Sequence, residues 1–357
     1  MAGAVSAGAY TAGVLDFLTE ALDEWYRAKA RGELVPSDDV SVEVISGASA
    51  GGMCFAIFAV MLQEDFEHIH DTNQIVTTNR LFESWVNQID IHKLLGTDDL
   101  KSAPPVVSLL DCTIIDKIAT DALIPGIPLS VPRPYVSPNL TLFLSLTNLR
   151  GTPYSLNDEA PGSVEETTFF FGDRIRFEIL RPDKITLSFP SAHKLDFTKP
   201  AEEGWNILTI AAKATGAVPI FLAPRVLDRK LLEYTPPMWE SVTSAATGTP
   251  PPISPNFPPD TPDPLQTLNV DGGITNNDPF NYAHDYLASL EPLRRESENP
   301  GTALTADRAV INIAPFPTTD TFDIKYNPLS HSGVFSVLVR LFSALISQSR
   351  FFGESLS

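Results

Sequence analysis

Cysteine is scarce: Cys54 and Cys112 are the only two in 357 residues. That excludes the disulfide-dense framework of a small secreted scaffold and fits a reduced compartment. Positive charge is also short. Lysine and arginine total 25 against 44 aspartates and glutamates, a formal net charge of −19. Such a polyanion lacks the clustered cations that neutralise a phosphate backbone, so no nucleic-acid partner is expected. No Lys or Arg precedes the first apolar stretch, MAGAVSAGAYTAGVLDFL, so it lacks the basic start of a secretory leader. Long hydrophobic runs are missing too. The longest uncharged one, Ser46 to Leu62, is short for a membrane span and glycine-rich at its start, and reads as a buried turn and helix. A cytoplasmic protein is the expectation. No stretch has calcium-loop or zinc-ligand spacing, so no metal and no cofactor is expected; His68 and His70, beside Glu64, Asp65 and Glu67, read as a solvated helix face.

What is present is a chain long enough for one large α/β domain, 43% hydrophobic. From Ala9 to Arg31, Val14, Leu15, Leu18, Leu22 and Trp25 recur at helical spacing. Ser41–Ser46 is a β-branched run and predicts a strand, followed at once by a glycine turn and the apolar helix Met53–Leu62. Residues 64–120 read as largely helical. A strand is predicted at Leu140–Thr147, ending in a turn at Arg150-Gly151, then a β-rich insertion over about 152–200. A helix follows at Trp205–Thr215. Prolines crowd residues 235–264, which predicts a long surface loop able to carry Met238, Trp239 and Phe257. Further elements are a strand at Leu268–Val270, a helix near Pro279–Leu290, a strand at Ala309–Ala314 and a terminal amphipathic helix with Phe335, Leu338, Phe342 and Leu345 on one face. Alternating strands and helices predict a mostly parallel sheet covered on both faces.

Two constellations carry chemistry. Gly47-Ala48-Ser49-Ala50-Gly51 is a Gly-x-Ser-x-Gly between a predicted strand and a predicted helix. A nucleophile at that bend is presented on a sharply turned backbone, where flanking glycines avoid collisions and the helix N-terminus faces a developing oxyanion. The alternative is an ordinary strand-to-helix turn that happens to hold a serine. The second is Asp271, between the short strand Leu268–Val270 and the pair Gly272-Gly273. A carboxylate in a dry site can take a serine proton and pass it to the leaving group, although Asp-Gly-Gly is also common turn chemistry. Histidine is the usual base, and His193, His284 and His331 all follow Ser49, but none sits in a small-residue loop between strand and helix.

Taken together these residues resemble the patatin-like phospholipases, lipid acyl hydrolases that work with a Ser–Asp dyad. Four blocks carry the resemblance: Ser46–Gly52, Asp271–Pro279 with Asn277 and Pro279, the Ala-rich Ala211–Pro219, and the N-terminal Gly3–Tyr10. The resemblance implies a three-layer α/β/α domain spanning 1–357, Ser49 as nucleophile and Asp271 as its base. It also implies an oxyanion hole of backbone N–H groups from Gly3, Ala4, Val5 and Ala50, with Gly47, Gly51, Gly272 and Gly273 as motif glycines. A lipid ester is the implied substrate, with peripheral contact to a membrane surface. The chain departs from the pattern at its start, where Ala2 and Ala4 interrupt the glycines and Ala7 replaces the frequent basic residue. It also begins inside that loop, so the sheet is expected to lack its first strand. Two other readings stand beside this one: a non-catalytic lipid-binding relative of the same fold, and a Ser-His-Asp esterase using His284 or His331.

Overall fold

A computed structural model describes residues 2–71, 76–101, 106–156, 166–181, 189–234, 254–290, 308–315 and 332–349. Its first element is helix α1, Ala2–Ala30. The expected loop at Gly3–Tyr10 is thus the start of a helix: its alanines favour one while Gly3 and Gly8 oppose it, and extension of the amphipathic helix predicted over Ala9–Arg31 costs no new nucleus. Strand β1 is Val42–Gly47 and helix α2 is Ser49–Met61. The described residues of 64–112 are far less helical than expected, with only short helical segments at Arg80–Phe82, Glu83–Gln88, Ile91–Leu94 and Asp98–Lys101 before helix α3, Thr113–Leu123.

Strand β2 then runs from Val136 to Leu156 without stopping at Arg150-Gly151. Gly151 takes φ +76° inside an irregularity between Thr147 and Thr152, so the predicted turn is absorbed as a bulge. Strand β3, Glu166–Leu180, returns antiparallel, and β4, His193–Asp196, adds parallel to it. Helix α4 is Glu203–Thr215, β5 is Arg225–Arg229, β6 is Leu265–Asp271 and α5 is Phe280–Ser289. The last described helix, α6, is Val334–Ser349. Ala309–Ala314 is not a strand; its β-branched run has no strand partner among the described residues, and a lone strand leaves its backbone groups unpaired. Within the β-rich insertion, Lys184–Phe189 falls mostly outside the described residues, as do Met238 and Trp239. Phe257 stacks edge-on against Tyr234 at 5.5 Å, so it packs on the body.

The helix-flanked α/β plan is the expected one, and its sheet is mixed. Pairs β1–β2 and β3–β4 are parallel, whereas β2–β3, β2–β6 and β5–β6 are antiparallel. The longest antiparallel pair is β2–β3, which the predicted turn at Gly151 conceals. Side chains alternate along β2, so Leu142, Leu144 and Leu146 join the main core beneath α1, α2 and α4, and Phe143 packs on the opposite side with Tyr282 and Tyr286 of α5. Helix α2 is apolar on every side because it is enclosed by β1, β2, α1, α3 and α4; Cys54, Ala56, Val60 and Met61 are all buried.

The register along β2 positions the site. Strand β2 uses one edge for β3; along its other edge β1 pairs with it up to Gly47–Leu144, and β6 arrives from the opposite direction up to Asp271–Leu146. Strands β1 and β6 therefore lie end to end, and their C-terminal ends meet. Nonlocal pairing on β2 brings residues 222 positions apart into one place.

Candidate active site

Ser49 stands two residues beyond the end of β1 and opens α2. Its φ is +54°, a left-handed conformation that L-residues rarely hold unless the surroundings impose it. The imposition is visible. A Cβ on Gly47 would strike the Phe55 ring and come within 2.8 Å of the Gly52 Cα, and one on Gly52 would lie 2.8 Å from Thr215 Cγ2. Gly47 and Gly52 are thus the cramped glycines. Gly51, the second motif glycine, faces open space; steric relief at that position, expected from the motif, is not what the site needs. The Ser49 N–H donates to Thr215 Oγ1 at 3.0 Å, and Thr215 in turn donates to the Ser145 carbonyl at 2.7 Å. Neither Thr215 nor Ser145 was singled out from the sequence, although Thr215 lies in the quoted Ala-rich block.

Asp271 closes β6. Its backbone N–H donates to the Ala217 carbonyl at 2.9 Å and its carbonyl accepts from Thr147 Oγ1 at 2.7 Å. Gly272 must be glycine, because a Cβ there would run into the Ser145 carbonyl; at Gly273 it would lie 2.6 Å from Asn277 Oδ1. The Asn277 expected from the motif thus packs the turn. Asp271 Oδ1 accepts the Gly273 N–H at 2.7 Å, and Oδ2 accepts the Ser49 hydroxyl at 2.8 Å. Both carboxylate oxygens are used, one to fix the side chain and one to hold the serine.

Asp271 is buried, and removal from water pushes its carboxyl up from 3.8 to about 6. The hydrogen bonds from Ser49 and Gly273 oppose that rise. The group is therefore ionised at neutral pH yet a stronger base than an exposed aspartate. The candidate histidines are elsewhere: His193 Nε2 lies 3.1 Å from Glu233, and His284 stacks on Phe280 and faces Asp285. His331 lies outside the described residues. His68 is not on a solvated helix face; its Nδ1 lies 2.8 Å from Asp16 on α1. Among the described residues no group of three His, Cys, Asp or Glu side chains converges as metal ligands would.

Gly3, Ala4 and Val5 form the first turn of α1, where backbone N–H groups have no intrahelical acceptor. Ala50 holds the same position in α2, whose Gly52 N–H already closes on Ala48. An apolar slot of about 30 Å³ opens beside α2, bordered by Met53, Ile57, Trp85, Ile118 and Ala212. Met53 is one turn along from Ser49 and on the same helix face.

The site thus presents a left-handed serine at a sharp strand-to-helix turn, hydrogen-bonded to a buried aspartate. The sequence model of the patatin-like phospholipases matches residues 1–284. The chain belongs to the patatin-like phospholipase family. That family is one of lipid acyl hydrolases. A relative in Sinorhizobium fredii (strain NBRC 101917 / NGR234), the uncharacterized protein y4iI, is 34% identical over 389 residues; the match covers 100% of this chain and 54% of that protein. The chain thus spans about half the length of the curated relative it matches. No solved structure matches it.

Proposed function

We propose that this patatin-like chain is a serine lipid acyl hydrolase cleaving acyl esters of phospholipids or related lipids through a Ser49–Asp271 dyad. The observation that carries the proposal is the 2.8 Å hydrogen bond from a left-handed Ser49 to a buried carboxylate. Ser49 Oγ attacks the acyl carbonyl while Asp271 accepts its proton. The tetrahedral oxyanion is held by the N–H of Ala50 and by first-turn N–H groups of Gly3, Ala4 and Val5, each such donor contributing roughly 3 kcal/mol. The leaving alcohol takes the proton from Asp271, and water then cleaves the acyl-enzyme by the reverse transfer. Two buried free thiols fit action in the cytoplasm.

A fluorophosphonate probe is expected to modify Ser49 stoichiometrically, with the label lost in Ser49→Ala; mapping of the labelled peptide to any other serine would overturn the proposal. The pH profile follows from the raised carboxyl. Because the base must be ionised, kcat/KM on a soluble ester should fall about tenfold per pH unit below about 6 and be level above it. A profile unchanged through that region would exclude Asp271 as the base.

A further inference from the structure

Helix α6 is the described element least explained by the core. Val334, Val337, Leu341 and Leu345 are 80%, 49%, 52% and 40% exposed, and their spacing of three and four residues places them along one side of the helix. The stripe expected from the sequence is different. Leu338 and Phe342 are half-buried instead, and the side chain of Phe335 lies outside the described residues. The principal anchorage of α6 is its C-terminal end against the turn Gly272–Ile274. There Ser349, buried, donates from Oγ to the Gly273 carbonyl at 2.7 Å. Gly273 is the residue whose N–H fixes Asp271, so this apolar side begins next to the reactive pair.

Charge says what the stripe meets. Residues 324–353 contain Lys325, Arg340 and Arg350 and no Asp or Glu, where the chain's average spacing of acids would place about four. An acid-free segment in a protein of charge −19 can approach phosphate headgroups without repulsion; the one longer acid-free stretch, 122–157, is mostly strand β2, which is paired on both edges inside the sheet. A half-exposed apolar stripe on such a segment suits burial at a lipid interface. We infer that α6 docks the protein on a phospholipid surface through Val334, Val337, Leu341 and Leu345, and so delivers the lipid ester to Ser49. The inference rests on the hydrolase reading above and names the surface at which that site works.

The test uses the full chain and its Val337→Ser/Leu341→Ser double variant, with co-sedimentation on phosphatidylcholine vesicles. The expected result is vesicle binding by the parent chain and binding about tenfold weaker or worse in the variant. Turnover of vesicle phospholipid should fall in parallel, while fluorophosphonate labelling and turnover of a short soluble ester stay unchanged, showing that the variant is folded. Equal binding by the two proteins, or no binding by either, overturns the inference. So does a parent that sediments as a dimer and a variant that sediments as a monomer, which would assign the stripe to a second copy. Absent labelling and absent soluble-ester turnover with vesicle binding intact would instead defeat the hydrolase reading and leave the docking surface standing.

Discussion

Asp271→Asn is expected to lower ester turnover about 10⁴-fold while making the protein melt at a higher temperature above neutral pH. The activity loss follows from chemistry. An asparagine keeps an oxygen to accept the Gly273 N–H, so the turn survives, but its amide cannot take the Ser49 proton. The stability gain follows from burial. The wild-type carboxyl is raised from 3.8 to about 6, chiefly because the charged form is removed from water; the opposing hydrogen bonds come from a hydroxyl and an N–H, not from a cation. A group raised in the folded state contributes fully below its unfolded pKa, and that contribution is lost as pH rises through about 6. By pH 8 the buried charge thus costs roughly 3 kcal/mol. Replacing it with a neutral isostere should raise Tm by several degrees at pH 8, and the gain should shrink to nothing near pH 4. Thermal melts of both proteins at the two pH values check this. Equal Tm at pH 8 would mean that the carboxylate is solvated and that the site is not the dry one its base strength requires.

The two halves of this site were legible in the sequence for a local reason. The turn at Ser49 needs a strand before it, a helix after it and glycine where backbone crowds, and Val42–Gly52 spells those needs within eleven residues. Asp271 announces itself the same way, since Gly272 cannot carry a side chain beside Ser145. What joins the halves was not legible. The meeting of β1 and β6 depends on the register of each along β2, and no local pattern encodes a partner strand. The same limit explains the other departures. Gly151 reads as a turn until β3 is seen pairing across it, and Ala309–Ala314 reads as a strand because propensity says nothing about a free edge. Extension of the helix that follows takes Gly3–Tyr10 into α1, where the motif implied a loop. Strand β5 is hard to read because Arg-Val-Leu-Asp-Arg buries its second arginine beside Leu227 and exposes Val226.

That arginine supports the second large effect: Arg229→Ala should cost about 3–5 kcal/mol, a large part of the stability of a typical domain. Arg229 is wholly buried. Its Nη1 donates to Asp173 at 3.0 Å, Nε to Glu233 at 2.7 Å and Nη2 to the Arg174 carbonyl at 2.9 Å. Tyr234 adds a hydrogen bond to Asp173 at 2.9 Å. Burial works against ionisation of Glu233, yet the Arg229 charge and the nearby His193 outweigh it and carry that carboxyl down to about 2. Removing the guanidinium strands two buried carboxylates together, which is far worse than removing one hydrogen bond. The cluster also bolts β5 to β3 across the sheet, and β5 is the strand flanking β6; its loss should loosen the strand that ends in Asp271. Urea unfolding of Arg229→Ala measures the cost. The triple variant Arg229→Met/Asp173→Leu/Glu233→Met removes the charges together and should recover most of the stability, because a buried ion pair replaced by apolar side chains of similar size is often neutral or better. A triple variant as unstable as Arg229→Ala would mean that the hydrogen-bond geometry, and not the uncompensated charge, holds β5 in place.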